Sequence, residues 1–370
     1  MTLLRAIGLM SGTSMDGVDA ALIETDGEGQ IRLGNVGFYP YLAAERALLR
    51  AALAEAATLE NRRLRPPALA EAEAMVTARH AEAVKRFMEK HRLSADDVDV
   101  VGFHGQTVLH RPDKRLTVQL GDGEALANAA GLPVVYDFRA ADVAAGGQGA
   151  PLVPIFHSAL CRAAGFDRPA LVVNIGGVAN VTFCAPGAPP VACDAGPGNA
   201  LIDDLMLARA GLPMDRDGHA ALSGDVDAEI LAALLANPFF AAPPPKSLDR
   251  ASITAAAVDG LSTQDAAATL AAFTARAIGK ALELMPAPAF AAIVCGGGAR
   301  NPAIMGELER RLPCRVALSN EFGWSIDAME AQAFAYLAAR RLKDLPISFP
   351  STTGVAAPLT GGVVAKPAAA

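Results

Sequence analysis

Apolar and polar positions follow one another in blocks that predict strands, turns and helices, and one arrangement occurs twice. Residues 6–10 and 18–23 are apolar runs separated by a turn-rich segment, which predicts a β-hairpin. Residues 171–182 have the same design, with a small-residue turn at Gly176 and Gly177 between two apolar runs. Because each half of the chain contains such a hairpin, the pattern indicates a weak internal duplication and two similar α/β domains.

Helical periodicity fills most of the chain between the predicted strands. Ser262 has a side chain suited to a helix N-cap, and Asn301 followed by Pro302 predicts the start of another helix. The predicted helices are residues 41–60, 67–92, 121–130, 154–164, 199–210, 227–236, 262–284 and 328–343, and the further strands are 98–103, 117–120, 134–136, 191–193 and 291–295.

The chain breaks sharply at the glycine-rich residues 146–151, and this segment predicts a domain boundary. The 370 residues are also too many for a single core of ordinary size, which fits two domains. We therefore expect a first domain at residues 1–145 and a second at 146–370. The last long helix is a candidate to pack back on the first domain.

Composition and charge exclude several classes of protein. The charged fraction of 19% with 52% hydrophobic residues argues against disorder, and the net charge of −7 argues against a nucleic-acid or anionic-membrane surface. Five widely spaced cysteines without zinc-ligand spacing fit a reducing cytosol. The first residues lack the pattern of a signal peptide, and no segment resembles a membrane helix, so we expect a cytoplasmic protein.

Many of the 34 glycines fall at predicted strand ends, where α/β sheets bind ligands. Glycine allows close backbone approach, and successive N–H groups can hold an anion. Thr13 and Ser14 add hydroxyl donors, and Asp16 could hold Mg²⁺ beside a phosphate. No Walker motif or dinucleotide fingerprint is present. One such hairpin could be an ordinary tight turn, but two hairpins and a third glycine-rich strand end favour an anion site.

Asp194 is the sharpest candidate for catalysis, because it follows a predicted strand and precedes a predicted helix. A base that takes a proton from water or a hydroxyl needs such an exposed position. The alternative is an Asx turn or a helix-capping aspartate.

Four other side chains are candidates for ligand binding. Glu330 shares a helix face with Phe334, so it is either functional or paired, although Asp327 and Glu330 also form a capping-box pattern. His104 and Gln106 follow a strand end, but a lone histidine is more often structural. Arg139 could face a cleft or pair with Asp142.

Seven motifs occur in the order typical of one bacterial family, and together they resemble anhydro-N-acetylmuramic acid kinases. They span Gly8 to about Leu337, each one weak by itself and specific in combination. The motifs are GLMSGTSMDGVDAAL from Gly8, GFHGQTVLHRP from Gly102, DFRAADVAAGGQGAPLVP from Asp137, VNIGGVANVT from Val173, DAGPGNALID from Asp194, CGGGARNP from Cys295 and DAMEAQAFAYLA from Asp327.

The resemblance implies a fold and a set of site residues. The fold would be two duplicated ribonuclease-H-like domains flanking an ATP cleft, as in acetate and sugar kinases, actin and heat-shock chaperone ATPases. The ATP phosphates would be held by Gly12, Thr13, Ser14, Met15, Asp16, Gly17, Val18, Asp19, Gly176 and Gly177. Gly296, Gly297 and Gly298 would lie on the adenosine side, Asp194 would be the catalytic aspartate, and Glu330, His104, Gln106 and Arg139 would serve the substrate.

The implied reaction transfers phosphate from ATP to O6 of 1,6-anhydro-N-acetylmuramic acid while water opens the anhydro bridge, in peptidoglycan recycling. Mg²⁺ and a homodimer come with the resemblance. The alternatives are a kinase of the same fold for another sugar, and a non-enzymatic actin-like or chaperone-like ATPase.

One loop departs from the family pattern. The family loop PPPKSTGRE reads PPPKSLDRA from Pro243, which keeps Lys246 and Ser247 but not the Thr-Gly-Arg-Glu sequence after them.

Overall fold

The computed structural model describes residues 2–12, 14–248 and 253–368, and the chain forms two compact units. Unit 1 comprises Met1–Ala163 and Glu330–Ala370, and unit 2 comprises Ala164–Met329. The division differs from the expected boundary at residue 145, because the helix Pro154–Ala163 packs in unit 1. Its Phe156 ring lies 5.5 Å from the ring of Tyr336, centroid to centroid.

Unit 1 contains a seven-stranded sheet. Its strands are β1 Leu4–Ser11, β2 Gly17–Thr25, β3 Ile31–Pro40, β4 Val100–Arg111, β5 Leu116–Leu120, β6 Val134–Tyr136 and β12 Val363–Ala365. The order is β12-β6-β4-β1-β2-β3, with β5 paired to β4. The first three strands form an antiparallel meander, whereas β4 and β6 run parallel to β1.

Seven helices within the described residues belong to this unit. They are α1 Ala43–Ala56, α2 Pro67–His91, α3 Gly123–Ala130, α4 Ala140–Ala144, α5 Pro154–Ala163, α11 Met329–Leu342 (from Glu330 onward) and α12 Pro350–Thr353. The buried face of α2 repeats at helical spacing through Leu69, Ala72, Val76, Ala83 and Phe87, as an amphipathic helix on a sheet requires.

Helix α11 lies very close to the middle of the unit 1 sheet. A Cβ atom at Gly8 in β1 would overlap the carbonyl oxygen of Ala331, and one at Gly102 in β4 would overlap that of Phe334. Glycine within a strand often marks such a close approach of another backbone. These two glycines therefore set the distance between α11 and the sheet.

Unit 2 repeats the strand arrangement of unit 1 with five strands. They are β7 Ala170–Ile175, β8 Val178–Cys184, β9 Val191–Pro197, β10 Ala291–Cys295 and β11 Arg315–Leu318, in the order β11-β10-β7-β8-β9. β7, β8 and β9 form the antiparallel meander, and β10 and β11 run parallel to β7. The predicted duplicated α/β architecture is confirmed, because β6-β4-β1-β2-β3 of unit 1 match β11-β10-β7-β8-β9 of unit 2 in order and direction.

The helices of unit 2 surround a core in which α9 is the largest element. They are α6 Ala200–Ala210, α7 His219–Leu222, α8 Ala228–Leu235, α9 Thr263–Glu283 and α10 Pro302–Arg311. The predicted caps are confirmed, since the Ser262 hydroxyl accepts from the Asp265 amide at 3.0 Å and the Asn301 side chain accepts from Ala303 at 3.0 Å. Across the described ranges, no helix combines the length and apolar character that crossing a bilayer needs.

Several local predictions differ from the structure. β4 continues to Arg111, so His104 and Gln106 lie inside a strand rather than after its end. β9 continues through Asp194 to Pro197, so Asp194 lies inside a strand rather than after it. Sequence analysis also missed β3, β11 and β12. In β3 the residues Gly34, Asn35 and Gly37 interrupt the apolar pattern, and most of the strand is exposed, so backbone pairing to β2 holds it in place.

Candidate functional site

The first predicted phosphate turn connects β1 and β2 in unit 1. The Met15 amide donates to the Gly12 carbonyl at 3.1 Å, and Met15 has a left-handed φ of 52°. The Ser14 hydroxyl donates to Asp16 Oδ1 at 2.7 Å, and both residues are exposed. Thr13 lies outside the described residues. The turn therefore presents the Ser14 hydroxyl and the Asp16 carboxylate at the surface, and its role as a phosphate site stays a prediction.

The next residues of the predicted phosphate segment are less exposed. Gly17 and Val18 are buried in β2, and Asp19 lies opposite Met10 of β1. From the other side, Gln106 Nε2 donates to the Gly12 carbonyl at 3.0 Å. The Gln106 side chain thus supports the turn, and its contact with a substrate stays a prediction.

His104 and Arg139 form a hydrogen-bonded pair in unit 1. Arg139 donates from Nε and Nη2 to His104 Nε2, at 3.2 and 3.0 Å, and from Nη1 to the Gly149 carbonyl at 2.9 Å. Because arginine is always a donor, His104 Nε2 accepts and the proton is on Nδ1, which donates to the Gly105 carbonyl at 2.7 Å. Burial, and then Arg139, lower the pKa of His104 well below its ordinary value, so the imidazole is neutral.

Asp142 holds the glycine-rich loop that follows α4. Its Oδ1 accepts from the Gly149 amide at 2.6 Å, and its Oδ2 accepts from the Thr353 hydroxyl at 2.6 Å. The expected direct pair with Arg139 is therefore replaced by a shared contact with Gly149. Sequence analysis missed Thr353, because nothing in its local pattern indicates a contact 211 residues away.

Glu330 belongs to the same group of side chains in unit 1. Burial raises the pKa of its carboxyl, and the nearby Arg139 guanidinium opposes that rise. The structure thus brings together three of the predicted substrate residues, His104, Arg139 and Glu330. A carboxyl group beside a fixed guanidinium can accept hydrogen bonds from the hydroxyl or amide groups of a sugar.

A cavity of about 300 Å³ adjoins this group in unit 1. It lies where the parallel pairing of β4 with β6 ends, and its wall includes His104, Tyr136 and Asp137. The loop between α1 and α2 supplies Arg62 and other basic residues to the same lining. Ligand sites of α/β sheets lie at this edge, and the volume is at the lower end of small-molecule sites.

The predicted glycine segments of unit 2 lie side by side. The Gly176–Gly177 turn joins β7 and β8, and its carbonyls accept from the amides of Asn199 (2.8 Å) and Gly198 (2.9 Å). Gly296 has a φ of 81°, and a Cβ there would overlap Asn174 beside the same turn. The turn predicted to bind phosphate and the glycines predicted for the adenosine side are therefore neighbours within this unit.

Asp194 lies in β9 opposite Asn180 of β8, beside this glycine group. Its Oδ2 accepts from the Leu248 amide at 2.8 Å, and its own amide donates to the Lys246 carbonyl at 3.0 Å. Burial raises the pKa of Asp194 to about 6, opposed by the Leu248 hydrogen bond and by Lys246. The capping interpretation is wrong, because Asn199 is the N-cap residue of α6. A carboxylate with this pKa suits general base catalysis near neutral pH.

Lys246 stands in the loop that departs from the family pattern. Its Nζ donates to the Phe239 carbonyl at 2.8 Å and lies 4.6 Å from the centre of the Phe239 ring. Burial lowers the pKa of its ammonium group. The loop contacts Asp194 through the Lys246 carbonyl and the Leu248 amide. Leu248 is therefore one altered residue that lies against Asp194, whereas the altered residues Asp249 and Ala251 lie outside the described ranges.

The predicted magnesium ligand Asp16 fits such a role in its donor chemistry. Its exposed carboxylate is a hard oxygen ligand, and Mg²⁺ commonly binds one or two carboxylates together with phosphate oxygens. Among residues 2–12, 14–248 and 253–368, no three His, Cys, Asp or Glu side chains are grouped as a metal site. An ion at Asp16 would therefore depend on oxygens from a bound nucleotide.

A family model and curated relatives match this chain over nearly its whole length. The model of the family described as anhydro-N-acetylmuramic acid kinase matches residues 4–367. A protein of that name from Nitrobacter winogradskyi is 56% identical over 366 residues, covering 99% of this chain and 100% of that one. One from Rhodopseudomonas palustris is 56% identical over 365 residues, covering 98% and 100%. Among solved structures, component A of (R)-2-hydroxyglutaryl-CoA dehydratase from Acidaminococcus fermentans gives a TM-score of 0.49 at 12% identity, covering 92% of this chain and 99% of that one.

Proposed function

The chain belongs to the anhydro-N-acetylmuramic acid kinase family, and we propose that it acts on 1,6-anhydro-N-acetylmuramic acid itself. In this reaction water attacks C1 of the sugar and its proton passes to a base. The bond from C1 to the bridging oxygen breaks, and that oxygen, O6, takes the γ-phosphoryl group of ATP. ADP leaves, and the sugar product is N-acetylmuramic acid 6-phosphate.

Asp194 is the proposed base, and its environment is the observation that carries the proposal. Its pKa of about 6 leaves the carboxylate ionised at neutral pH and still basic enough to take a proton from water. The Leu248 amide on Oδ2 orients the group and leaves Oδ1 for the water. Lys246 keeps positive charge near it, which favours the ionised form.

The sugar is proposed to contact His104, Arg139 and Glu330 of unit 1. The neutral His104 imidazole fixes the plane of the Arg139 guanidinium through two hydrogen bonds, so that Arg139 holds one orientation beside Glu330. Glu330 then accepts a hydrogen bond from a hydroxyl or amide group of the sugar. Groups held in place by such contacts lower the entropic cost of orienting a substrate.

The nucleotide is proposed to contact the glycine turns. Gly12 to Asp19 and the Gly176–Gly177 turn offer backbone N–H groups to the phosphates, and Gly296 to Gly298 leave room for the adenosine. Asp16 would hold Mg²⁺, which neutralises phosphate charge when bound. A cytoplasmic location, a role in peptidoglycan recycling and a homodimer complete the proposal, and the family resemblance supports them.

The substitution Asp194→Asn tests the base directly. Because an amide cannot accept the proton, we expect turnover of the anhydro sugar to fall by about 10²- to 10⁴-fold. The affinity for ATP, measured by calorimetry, should stay within about twofold. Asp259→Asn is the matched control, since that side chain is 79% exposed in the same unit and should leave turnover unchanged. Turnover of Asp194→Asn within a few-fold of wild type would exclude Asp194 as the base.

A coupled ATP assay with two sugars separates this function from its alternatives. The proposal predicts turnover with the anhydro sugar and little with an unbridged hexosamine. The opposite preference would indicate a kinase of the same family fold for another sugar. ATP hydrolysis that neither sugar stimulates would favour the actin-like or chaperone-like ATPase.

A further inference from the structure

The 300 Å³ cavity of unit 1 has a basic wall that the proposed chemistry does not use. The loop between α1 and α2 contributes Arg62, Arg63 and Arg65 to this wall. Glu73 and Asp137 are the acidic residues among its lining. Three guanidinium groups thus face two carboxylates, which leaves an excess of one positive charge.

Two of the arginines are neutralised by acids in the same wall. Arg62 Nη2 lies 2.5 and 2.6 Å from the two carboxylate oxygens of Asp137. Arg65 makes a bidentate pair with Glu73, at 2.8 and 2.9 Å. These ion pairs hold the loop against the end of β6 and against α2, and they neutralise the charges of Arg62 and Arg65.

Arg63 lies between Arg62 and Arg65 in the sequence, lines the cavity and is exposed. Within the part of the chain that the structure describes, its guanidinium has no ion-pair partner. An exposed guanidinium that lines a small cavity, beside two arginines already paired with acids, is suited to binding a carboxylate through its planar fork. The anion would complete the charge balance of the wall.

Further polar atoms in the same wall lack partners. Arg62 Nε, a donor, and Gln119 Oε1, an acceptor, are buried without a hydrogen bond among the described residues. Buried polar groups are usually satisfied, so unpaired ones near a cavity call for an explanation. A ligand with both acceptor and donor groups, or water held beside it, would satisfy them.

We infer that this cavity receives the carboxylate-bearing lactyl arm of the amino sugar and that Arg63 recognises the carboxylate. The inference rests on the proposed function for the identity of the sugar. His104 joins the two regions, because it lines the cavity and also holds Arg139 beside Glu330. A ring contacting Arg139 and Glu330 can therefore extend its side arm toward Arg63.

Arg139 is the other arginine that could bind the carboxylate, and its contacts argue against that role. Its Nε, Nη1 and Nη2 atoms already donate to His104 and Gly149. Among the described residues, the Arg63 guanidinium has no hydrogen-bond or ion-pair partner. The carboxylate is the single charged group of the anhydro sugar, so its recognition separates muramic from glucosamine sugars.

Calorimetry with two bridged sugars tests the inference. 1,6-Anhydro-N-acetylmuramic acid carries the lactyl arm, and 1,6-anhydro-N-acetylglucosamine lacks it. Arg63→Ala should weaken binding of the acidic sugar about tenfold, as loss of a charge-assisted hydrogen bond implies. Binding of the neutral sugar should not change. Arg63→Lys should restore most of the affinity, and Arg50→Ala, an exposed arginine of α1, should match wild type.

The outcomes distinguish the subsite from the proposed function. An equal effect of Arg63→Ala on both sugars, or on neither, would overturn the subsite even if wild-type enzyme phosphorylates the acidic sugar. A tenfold effect confined to the acidic sugar would support the subsite even if wild-type enzyme fails to phosphorylate it. Failure of the wild-type protein to bind either sugar would overturn the subsite as well.

Discussion

Unit 1 and unit 2 share five strands in the same order and direction, yet their glycines and charged groups serve different ends. In unit 1, Gly8 and Gly102 lie within strands and admit α11. In unit 2, the Gly176–Gly177 turn and Gly296 lie at strand ends beside an acid with a shifted pKa. These glycines thus differ in position: Gly8 and Gly102 admit a helix against a sheet, whereas Gly176, Gly177 and Gly296 lie at strand ends close to an acid.

The two units also differ in their charged side chains. Unit 1 holds neutral His104 and a set of arginines, which suits recognition of a polar and anionic sugar. Unit 2 holds Asp194 in a setting that raises its pKa, which suits proton transfer. We therefore expect substitutions in unit 1 to alter stability or sugar binding, and those around Asp194 to alter the chemical step.

The largest difference between the units is expected for a pair of glycine substitutions. Gly8→Ala forces a methyl group onto the backbone of α11 and should destabilise the protein by about 3 kcal/mol or more. At Gly177 the added methyl would lie 3.7 Å from the Cβ of Ala200, an ordinary contact. Gly177→Ala should therefore change stability by less than about 0.5 kcal/mol, while raising the KM for ATP.

Urea unfolding followed by circular dichroism gives the stabilities, and a coupled assay gives the KM. The comparison fails if both variants lose similar stability, or if Gly177→Ala leaves the use of ATP unchanged.

A smaller effect is expected in the dependence of kcat/KM on pH, which shows whether the titrating group lies in unit 1 or in unit 2. Because the pKa of Asp194 is raised to about 6, kcat/KM should be constant above that pH and fall as the carboxylate becomes protonated below it. His104 has a pKa well below its ordinary value and should contribute no limb at this pH.

The variant His104→Gln is the control for this assignment. It should lower activity by disturbing Arg139 and still keep the limb near pH 6. Loss of the limb in this variant would place the titrating group in unit 1 and contradict the assignment to Asp194.

Local pattern was enough to predict much of the fold. Both hairpins, the Ser262 and Asn301 caps and the duplication were predictable, because each depends on neighbouring residues. β3 was not, since Gly34 and Gly37 break its pattern and pairing with β2 decides its conformation.

The candidate site was predictable one residue at a time, whereas its pairings were not. Asp194 stood out as an acid between a predicted strand and a predicted helix, and Glu330 as an acid that shares a helix face with Phe334. The contact of Arg62 with Asp137 spans 75 residues, and that of Asp142 with Thr353 spans 211. A local sequence pattern cannot indicate contacts between residues so far apart in the sequence. The basic cavity and the contact of Asp142 with the Gly149 loop are therefore visible only in the tertiary structure.

The mass of the sugar product tests the central claim most directly. Purified protein, ATP and 1,6-anhydro-N-acetylmuramic acid should yield a product that has gained one phosphoryl group and one water, with one ADP formed for each sugar consumed. A product that gains the phosphoryl group without the water would mean that the bridge stays closed. That result, or ADP formed with no change in the sugar, would contradict the claim.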